Sequence, residues 1–157
     1  ADYLAEGPDM GRTGWVKGEK VFTKDNVKNM KLLWKIKLDS NPGQMHNLFP
    51  PLVVENVTTS SGTKEIAVVA GISDDLFGID TATGKQVWQF QTGSGVNAMP
   101  ITYTHKGQQY VTVLSGIGGL YWNQNRERLK DTVPQGGSVW TFALLPENGR
   151  TNVAANQ

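Results

Sequence analysis

Cysteine is absent from the 157 residues of this chain. Its absence excludes disulfide bonds, thiolate metal sites, covalently attached c-type haem and cysteine nucleophiles. Histidine occurs only twice, as His46 and His105. Because a metal site needs several ligands that converge on one ion, we interpret both histidines as surface-loop residues and predict no metal site.

A strong excess of charge and long apolar runs are also lacking. The net charge is +1 and 18% of the residues are charged, so the composition offers no electrostatic basis for binding nucleic acid or an anionic membrane. No apolar run approaches the ~20 residues that a membrane-spanning helix needs. The chain begins at Ala1, which fits either a mature end left by removal of a signal peptide or a boundary set by cloning.

Glycine and tryptophan, in contrast, are well represented, with 18 and 5 copies. This pairing is typical of short strands joined by tight turns. Apolar, β-branched and aromatic runs predict strands through the middle of the chain. The predicted strands are 31–38, 50–55, 65–72, 76–80, 86–91, 98–104, 109–115 and 138–144. The first of them alternates apolar residues with lysines, which predicts one buried face and one face in water.

The stretch from Gly78 to Trp88, GIDTATGKQVW, is the most informative part of the sequence. Asp80 can accept hydrogen bonds from the backbone that follows it, and Gly84 can adopt the positive φ that a β-carbon would resist. A tight turn is therefore predicted between two strands, with Trp88 buried and folded back over the turn. Considered alone, the stretch also fits an ordinary β-hairpin that carries a buried tryptophan.

The full spacing of this stretch resembles the tryptophan-docking motif of the quinoprotein β-propellers. That family comprises the dehydrogenases that carry pyrroloquinoline quinone (PQQ) and their non-enzymatic relatives, and in it the tryptophan of each blade docks on the next blade. The resemblance implies a structural role for the motif residues, with glycine in the first position, where the family usually has alanine. The matching residues are Gly78, Asp80, Thr83, Gly84, Lys85 and Trp88.

Other segments carry the same resemblance. Residues 25–34, DNVKNMKLLW, are similar to the segment that leads into the first strand of PQQ-dependent dehydrogenases. Residues 104–119 and 136–142 are similar to strands of the family's last blade. The chain thus resembles the first and last blades of the propeller, with the middle blades missing.

The predicted fold is all-β, with two four-stranded antiparallel propeller-type blades. An irregular N-terminal arm covers residues 1–30, the β domain covers 31–145, and a flexible tail covers 146–157. The first blade is predicted at 50–91 and the second at 98–144. The resemblance implies that strand 31–38 closes the second blade as its outermost member. Within that blade, residues 116–137 are predicted to form a long irregular excursion.

The resemblance implies oxidation of an alcohol or a sugar, with PQQ and calcium as cofactors, in the periplasm or outside the cell. In the family the catalytic carboxylate and the calcium ligands come from the middle blades. Many members also have a glutamate just before the first blade, where residues 45–49 here contain no carboxylate. We therefore assign no catalytic, quinone-binding or metal-binding residue, and whether this chain is an enzyme stays open.

Two acidic and two aromatic residues are further candidates for a functional site. Asp74 and Asp75 match no known calcium loop, and we interpret them as a turn-capping pair. Tyr121 and Trp122 resemble the aromatics that line the funnel above the family's cofactor, and packing within the excursion is the favoured interpretation.

The sequence also leaves a second function open and predicts partner chains. The rival is a non-catalytic propeller scaffold, such as the propeller lipoprotein of outer-membrane assembly, and a subunit or part of a larger enzyme is a further alternative. Propellers need about four to eight blades to close. Two blades would leave apolar faces exposed, so we expect association with further copies or with other propeller-forming chains.

Overall fold

A computed structural model describes residues 18, 20–38 and 48–143 of the chain. The arm up to residue 17, His46 and the tail 146–157 lie outside the described residues. A 3-10 turn spans Val27–Asn29. The strands are β1 (Leu52–Thr59), β2 (Gly62–Ala70), β3 (Asp75–Asp80), β4 (Gln86–Gln91), β5 (Ile101–His105), β6 (Gln108–Ser115) and β7 (Ser138–Ala143), and the helix α1 (Gly119–Leu129) lies between the last two.

Strands β1 to β4 form the predicted four-stranded antiparallel sheet, in the order β1-β2-β3-β4. All six residues of β3 are buried, because this strand is central and both of its faces are covered. Strand β4 lies at the sheet edge, and five of its six residues are exposed. The contrast follows from sequence, since β3 reads DLFGID and β4 carries a glutamine at every second or third position.

The second sheet has three strands, in the order β5-β6-β7, where four were predicted. Residues 31–38 are the predicted fourth strand, but in the structure they pair with neither sheet. The alternation of apolar residues and lysines in this segment is only partly reflected in which side chains are buried. Trp34 is half-buried and the flanking lysines are exposed, but Leu32 and Leu33 are 83% and 84% exposed. This segment is held by side-chain contacts of Trp34 rather than by a strand ladder.

The two sheets pack face to face. Ala70 and Leu76 of the first sheet form one buried cluster with Val96 and Val113, and Phe142 packs against it. Phe90 of β4 meets Trp140 of β7 edge to face, with ring centroids 5.0 Å apart. Aromatic pairs of this geometry add about 0.5–1.5 kcal/mol beyond the area they bury. The interface between the sheets therefore has the character of a hydrophobic core.

The predicted irregular excursion contains helix α1, which the sequence analysis missed. No side chain caps the helix at its N-terminus, where Gly118 has an extended backbone. Tyr121 and Trp122 pack against a buried cluster, in agreement with the interpretation that they serve packing. The cluster consists of Ile72, Ile117, Leu129 and Val133. The helix is thus stabilised by contacts with the loop after β2, which sequence periodicity does not reveal.

Gly116 gives a first prediction about how the excursion is held. A β-carbon at this position would lie 2.5 Å from the carbonyl oxygen of Gly136, a contact that backbone atoms cannot relieve by rotation. We expect Gly116→Ala to lower the free energy of unfolding by about 1–3 kcal/mol through overpacking.

Urea unfolding followed by circular dichroism measures this effect. Gly137→Ala is the matched control, because a β-carbon there has nothing within 4 Å. Equal unfolding midpoints for the two variants would contradict the prediction.

Candidate functional site

The turn between β3 and β4 is built around Asp80. Its Oδ1 accepts hydrogen bonds from the backbone N–H groups of Ala82 at 3.0 Å and Thr83 at 3.2 Å. Its carbonyl oxygen accepts from the N–H of Gly84 at 2.8 Å. Gly84 has the positive φ predicted for it, at +70°. The local hydrogen bonds of Asp80 and the positive φ of Gly84, both predicted from the sequence, therefore shape this turn.

The aromatic ring that covers the turn is Trp34 and not Trp88. The indole Nε1 of Trp34 donates a hydrogen bond to the carbonyl oxygen of Thr81 at 2.8 Å. Its ring lies on the α-carbon of Gly84, so close that a β-carbon there would stand 2.6 Å from the ring. The turn therefore receives a tryptophan from 47 residues earlier in the chain. Sequence reasoning missed this contact, although Trp34 stands in a segment already noted for its resemblance.

Trp88 does not cover this turn, and the prediction that its side chain is buried is wrong. It is 39% exposed and lies beside Gly78, whose β-carbon position is 3.2 Å from the Trp88 Cβ. Its ring meets Phe142 edge to face at 5.1 Å and stacks near Phe90 at 6.1 Å. Trp88 thus contributes to the contact between the sheets.

An ion pair ties the turn to the neighbouring strand. The ammonium of Lys64 on β2 donates to Oδ2 of Asp80, and the two side chains are 24% and 5% exposed. This hydrogen bond holds the pKa of Asp80 below its ordinary value. A carboxylate whose pKa is lower in the folded state stabilises the fold above its unfolded pKa. That stability is lost as the pH falls through the folded-state pKa.

A polar network occupies the opposite end of the strands. The carbonyl oxygen of Asp74 accepts from the backbone N–H of Thr92 at 2.7 Å and from its hydroxyl at 3.0 Å. The hydroxyl of Ser115 on β6 donates to the carbonyl oxygen of Ser94 at 2.8 Å. The Ser94 hydroxyl in turn donates to the carbonyl oxygen of Pro134 at 2.8 Å. The network therefore links both sheets to the excursion.

The carboxylates of Asp74 and Asp75 do not cap their own turn. The interpretation of these two residues as a turn-capping pair is therefore wrong. Oδ2 of Asp74 accepts from Nε2 of Gln91 at 2.9 Å, and Oδ1 of Asp75 accepts from Nε2 of Gln89 at 3.0 Å. Both partners lie on β4, so these carboxylates hold the edge strand. The other oxygen of Asp74, Oδ1, is buried without a hydrogen-bond partner among the described residues.

The burial of Asp74 leads to a second prediction. Burial raises the pKa of Asp74 above its ordinary value of 3.8. The folded state therefore binds the proton more tightly than the unfolded state, and stability falls as the pH rises through the window above 3.8. We expect Asp74→Asn to be more stable than the wild type at pH ~7 by about 1 kcal/mol, because the amide avoids burying a charge.

Urea unfolding at several pH values tests this expectation. The advantage of Asp74→Asn should shrink as the pH falls and should vanish below the unfolded pKa, where Asp74 is neutral in both states. A difference between variant and wild type that does not change with pH would contradict the electrostatic explanation.

A cleft of about 530 Å³ opens between the two sheets, at the end where β1 turns into β2. The walls are apolar, with Ile66 and Val68 from β2 and Val111 from β6 among the lining residues. Trp88 and Phe142 line it as an edge-to-face pair. Of the lining residues within 18, 20–38 and 48–143, Lys64 alone is charged.

The described residues do not fit a bound quinone and its metal ion. Calcium takes about six to eight oxygen ligands, and no group of three or more histidine or acidic residues in 18, 20–38 and 48–143 converges on a point that could hold a metal. PQQ carries several carboxylates, whereas the cleft offers one ammonium that Asp80 already binds. No chemical step is therefore derived through either group. His105, at the end of β5, is exposed.

Comparison with known proteins decides the family. The family model for the PQQ-type propeller, described as glucose/ethanol/alcohol dehydrogenase, beta-propeller domain, matches residues 21–111, which is more than half of the chain. The chain belongs to this family. The matched range runs from the segment before Trp34 through the whole first sheet, so the first sheet is a blade of a quinoprotein propeller. Helix α1 and β7 lie beyond that range.

Curated relatives include several quinoprotein enzymes. The 1-butanol dehydrogenase (quinone) of Thauera butanivorans is 42% identical over 97 residues, which are 60% of this chain and 15% of that enzyme. The quinoprotein alcohol dehydrogenase PedH of Pseudomonas putida is 47% identical over 72 residues, 44% of this chain and 12% of that enzyme. The lanthanide-dependent methanol dehydrogenase of Methylorubrum extorquens is 50% identical over 70 residues, 45% of this chain and 12% of that enzyme. The matched parts thus span 12% to 15% of the length of these relatives.

Proposed function

We propose that this quinoprotein-family chain supplies part of the propeller of a PQQ-dependent alcohol dehydrogenase. The observation that carries the proposal is the family match over residues 21–111, which includes all four strands of the first sheet. The implied reaction is oxidation of an alcohol with transfer of two electrons to the quinone. Calcium, or a lanthanide as the name of one relative indicates, is the implied metal ion.

The role proposed for the residues of this chain is structural. Asp80, Gly84 and Trp34 hold the turn and anchor the segment that precedes the first blade. The groups that touch quinone, metal and alcohol are proposed to come from other blades, and the lack of a metal-holding cluster of histidine and acidic residues among the described residues supports this for the metal. A periplasmic or secreted location is part of the proposal. No helix within the described ranges has the length and apolarity to cross a membrane.

The native protein in its source cells provides the test. We expect the purified native species to reduce an electron-accepting dye when PQQ, a calcium or lanthanide salt and 1-butanol are supplied together, and to lose that activity when the quinone is omitted. Its intact mass, compared with the reading frame, tells whether other blades belong to the same chain or to partners. A native species that neither binds PQQ nor reduces the dye would favour the propeller-scaffold alternative.

We also propose that the chain associates with further copies of itself or with other propeller-forming chains. Two exposed features support this. Among the described residues, strand β7 pairs with β6 alone, and residues 31–38 pair with neither sheet. The outer face of the second sheet leaves Leu114 and Val139 53% and 69% exposed. An apolar sheet face beside an unpaired edge favours association in water.

Light scattering at micromolar concentration tests this association. We expect a molar mass well above 17.2 kDa for the full chain. Leu114→Lys combined with Val139→Lys should lower that mass if the outer face takes part, since both residues are exposed and their replacement leaves the core intact. A monodisperse species of 17.2 kDa would contradict the proposal.

A further inference from the structure

The structural role proposed for this chain makes no use of the cleft between the two sheets. At one end of the interface the sheets are closed by Ala70, Val96 and Val113, all of them buried. At the other end, near the hairpin of β1 and β2, about 530 Å³ stays open between them. Ligand pockets of proteins occupy about 300–1,000 Å³ and are lined mainly by apolar and aromatic side chains. The cleft has both properties.

The walls of the cleft select for an apolar occupant. Ile66 and Val68 line it from the first sheet, and Val111 lines it from the second. Trp88 and Phe142 form an aromatic wall, with their rings at 77° to each other. Burying apolar surface against such walls contributes about 25 cal/mol per Å². The polar side chains in the lining, such as Ser61 and Gln109, give a hydroxyl group on a ligand places to form hydrogen bonds.

The described lining of the cleft offers an ion no uncompensated opposite charge. Among the described residues of the lining, Lys64 alone is charged, and its ammonium is bound to the carboxylate of Asp80. The ion pair is therefore neutral as a unit. An anionic or cationic ligand would lose hydration in the cleft without meeting an uncompensated opposite charge, which is costly. An uncharged ligand bears no such cost.

We propose that this cleft binds one uncharged, largely apolar small molecule, such as a linear alcohol of medium chain length. The apolar chain lies between the sheets, and the hydroxyl group lies toward the polar part of the lining. The proposal does not depend on the quinone reaction, since it rests on the lining residues alone. It stays testable if the chain proves to be a non-catalytic scaffold.

Displacement of a neutral fluorescent probe tests the proposal. The probe is 1-aminoanthracene, and the competitors are 1-octanol, octanoate and octylammonium, which share a chain length and differ in head group. We expect saturable probe binding at one site per chain, and displacement by 1-octanol at a concentration at least ~10-fold lower than by either ion. Absence of probe binding overturns the proposal, and so does displacement by an ion at the same concentration as the alcohol.

Substitutions in the cleft show whether the probe binds there. Val111→Phe places a larger side chain in the cleft and should weaken probe binding at least ~10-fold. Ile101→Phe on the neighbouring strand β5 is the matched control, because Ile101 is 47% exposed and does not line the cleft. If Val111→Phe fails to fold by circular dichroism, Val57→Phe fills the same cleft from β1. Unchanged binding in the folded cleft variants, or equal loss in the control, overturns the assignment.

Discussion

Replacement of Gly84 by valine is expected to lower the free energy of unfolding by about 2–5 kcal/mol. Two causes act together. Gly84 has φ of +70°, a conformation that a β-branched residue adopts only under strain. Its β-carbon would also stand 2.6 Å from the ring of Trp34. The valine therefore both strains the turn and displaces the tryptophan that covers it.

A matched glycine separates the two causes. Gly93 has φ of +79°, yet a β-carbon there has nothing within 4 Å. Gly93→Val therefore carries the backbone strain alone, and we expect it to cost less than Gly84→Val in urea unfolding. A double-mutant cycle with Trp34→Ala should recover part of the cost at Gly84, because the two sites are in contact. Equal costs at the two glycines would show that the Trp34 contact adds nothing.

Truncation of Phe77 to alanine is the second large effect, expected to cost about 3–5 kcal/mol. Phe77 is 0% exposed and lies at the centre of β3, the strand whose residues are all buried. Its neighbours across the sheet are Val69 and Gln89. A cavity left in such a place cannot be filled by water-facing side chains, so both the transfer energy and the contacts are lost.

Trp88 provides the comparison for that experiment. It is a larger residue than Phe77, but 39% of it is exposed, and its ring packs at the edge of the interface. We expect Trp88→Ala to cost about 1–3 kcal/mol, less than Phe77→Ala, because exposure limits the apolar area that is lost. The midpoints of urea unfolding for the two variants give the order directly. The reverse order would mean that Trp88 is more buried in solution than in the structure.

Some parts of the fold follow from neighbours in the sequence. The first sheet has the four predicted strands in order because apolar and β-branched runs set the strands, although β1 continues to Thr59 and β2 begins at Gly62, so the turn between them is shorter than predicted. The turn at Asp80 is equally local, since the carboxylate bonds to backbone groups two and three residues ahead. The buried strand β3 was predicted from the same kind of pattern.

Other parts depend on contacts between distant residues. Helix α1 has no capping side chain, and it packs on Ile72, which lies far from it in the sequence. The alternation in 31–38 indicated which side chains face inward near Trp34, but alternation carries no information about a pairing partner. The cleft was not predicted at all, because it exists only where two sheets meet.

The sequence by itself determined the strands of the first sheet, the turn at Gly84 and the family, because each is written in residues that lie close together along the chain. The tertiary structure alone decided which tryptophan covers that turn. Trp34 and Gly84 are brought together by packing across a long separation, whereas Trp88 is drawn to Phe142 on the second sheet. It also decided that Asp74 is buried and that an apolar cleft opens at one end of the interface between the sheets. Burial and cavities are properties of assembled surfaces, which no local pattern specifies.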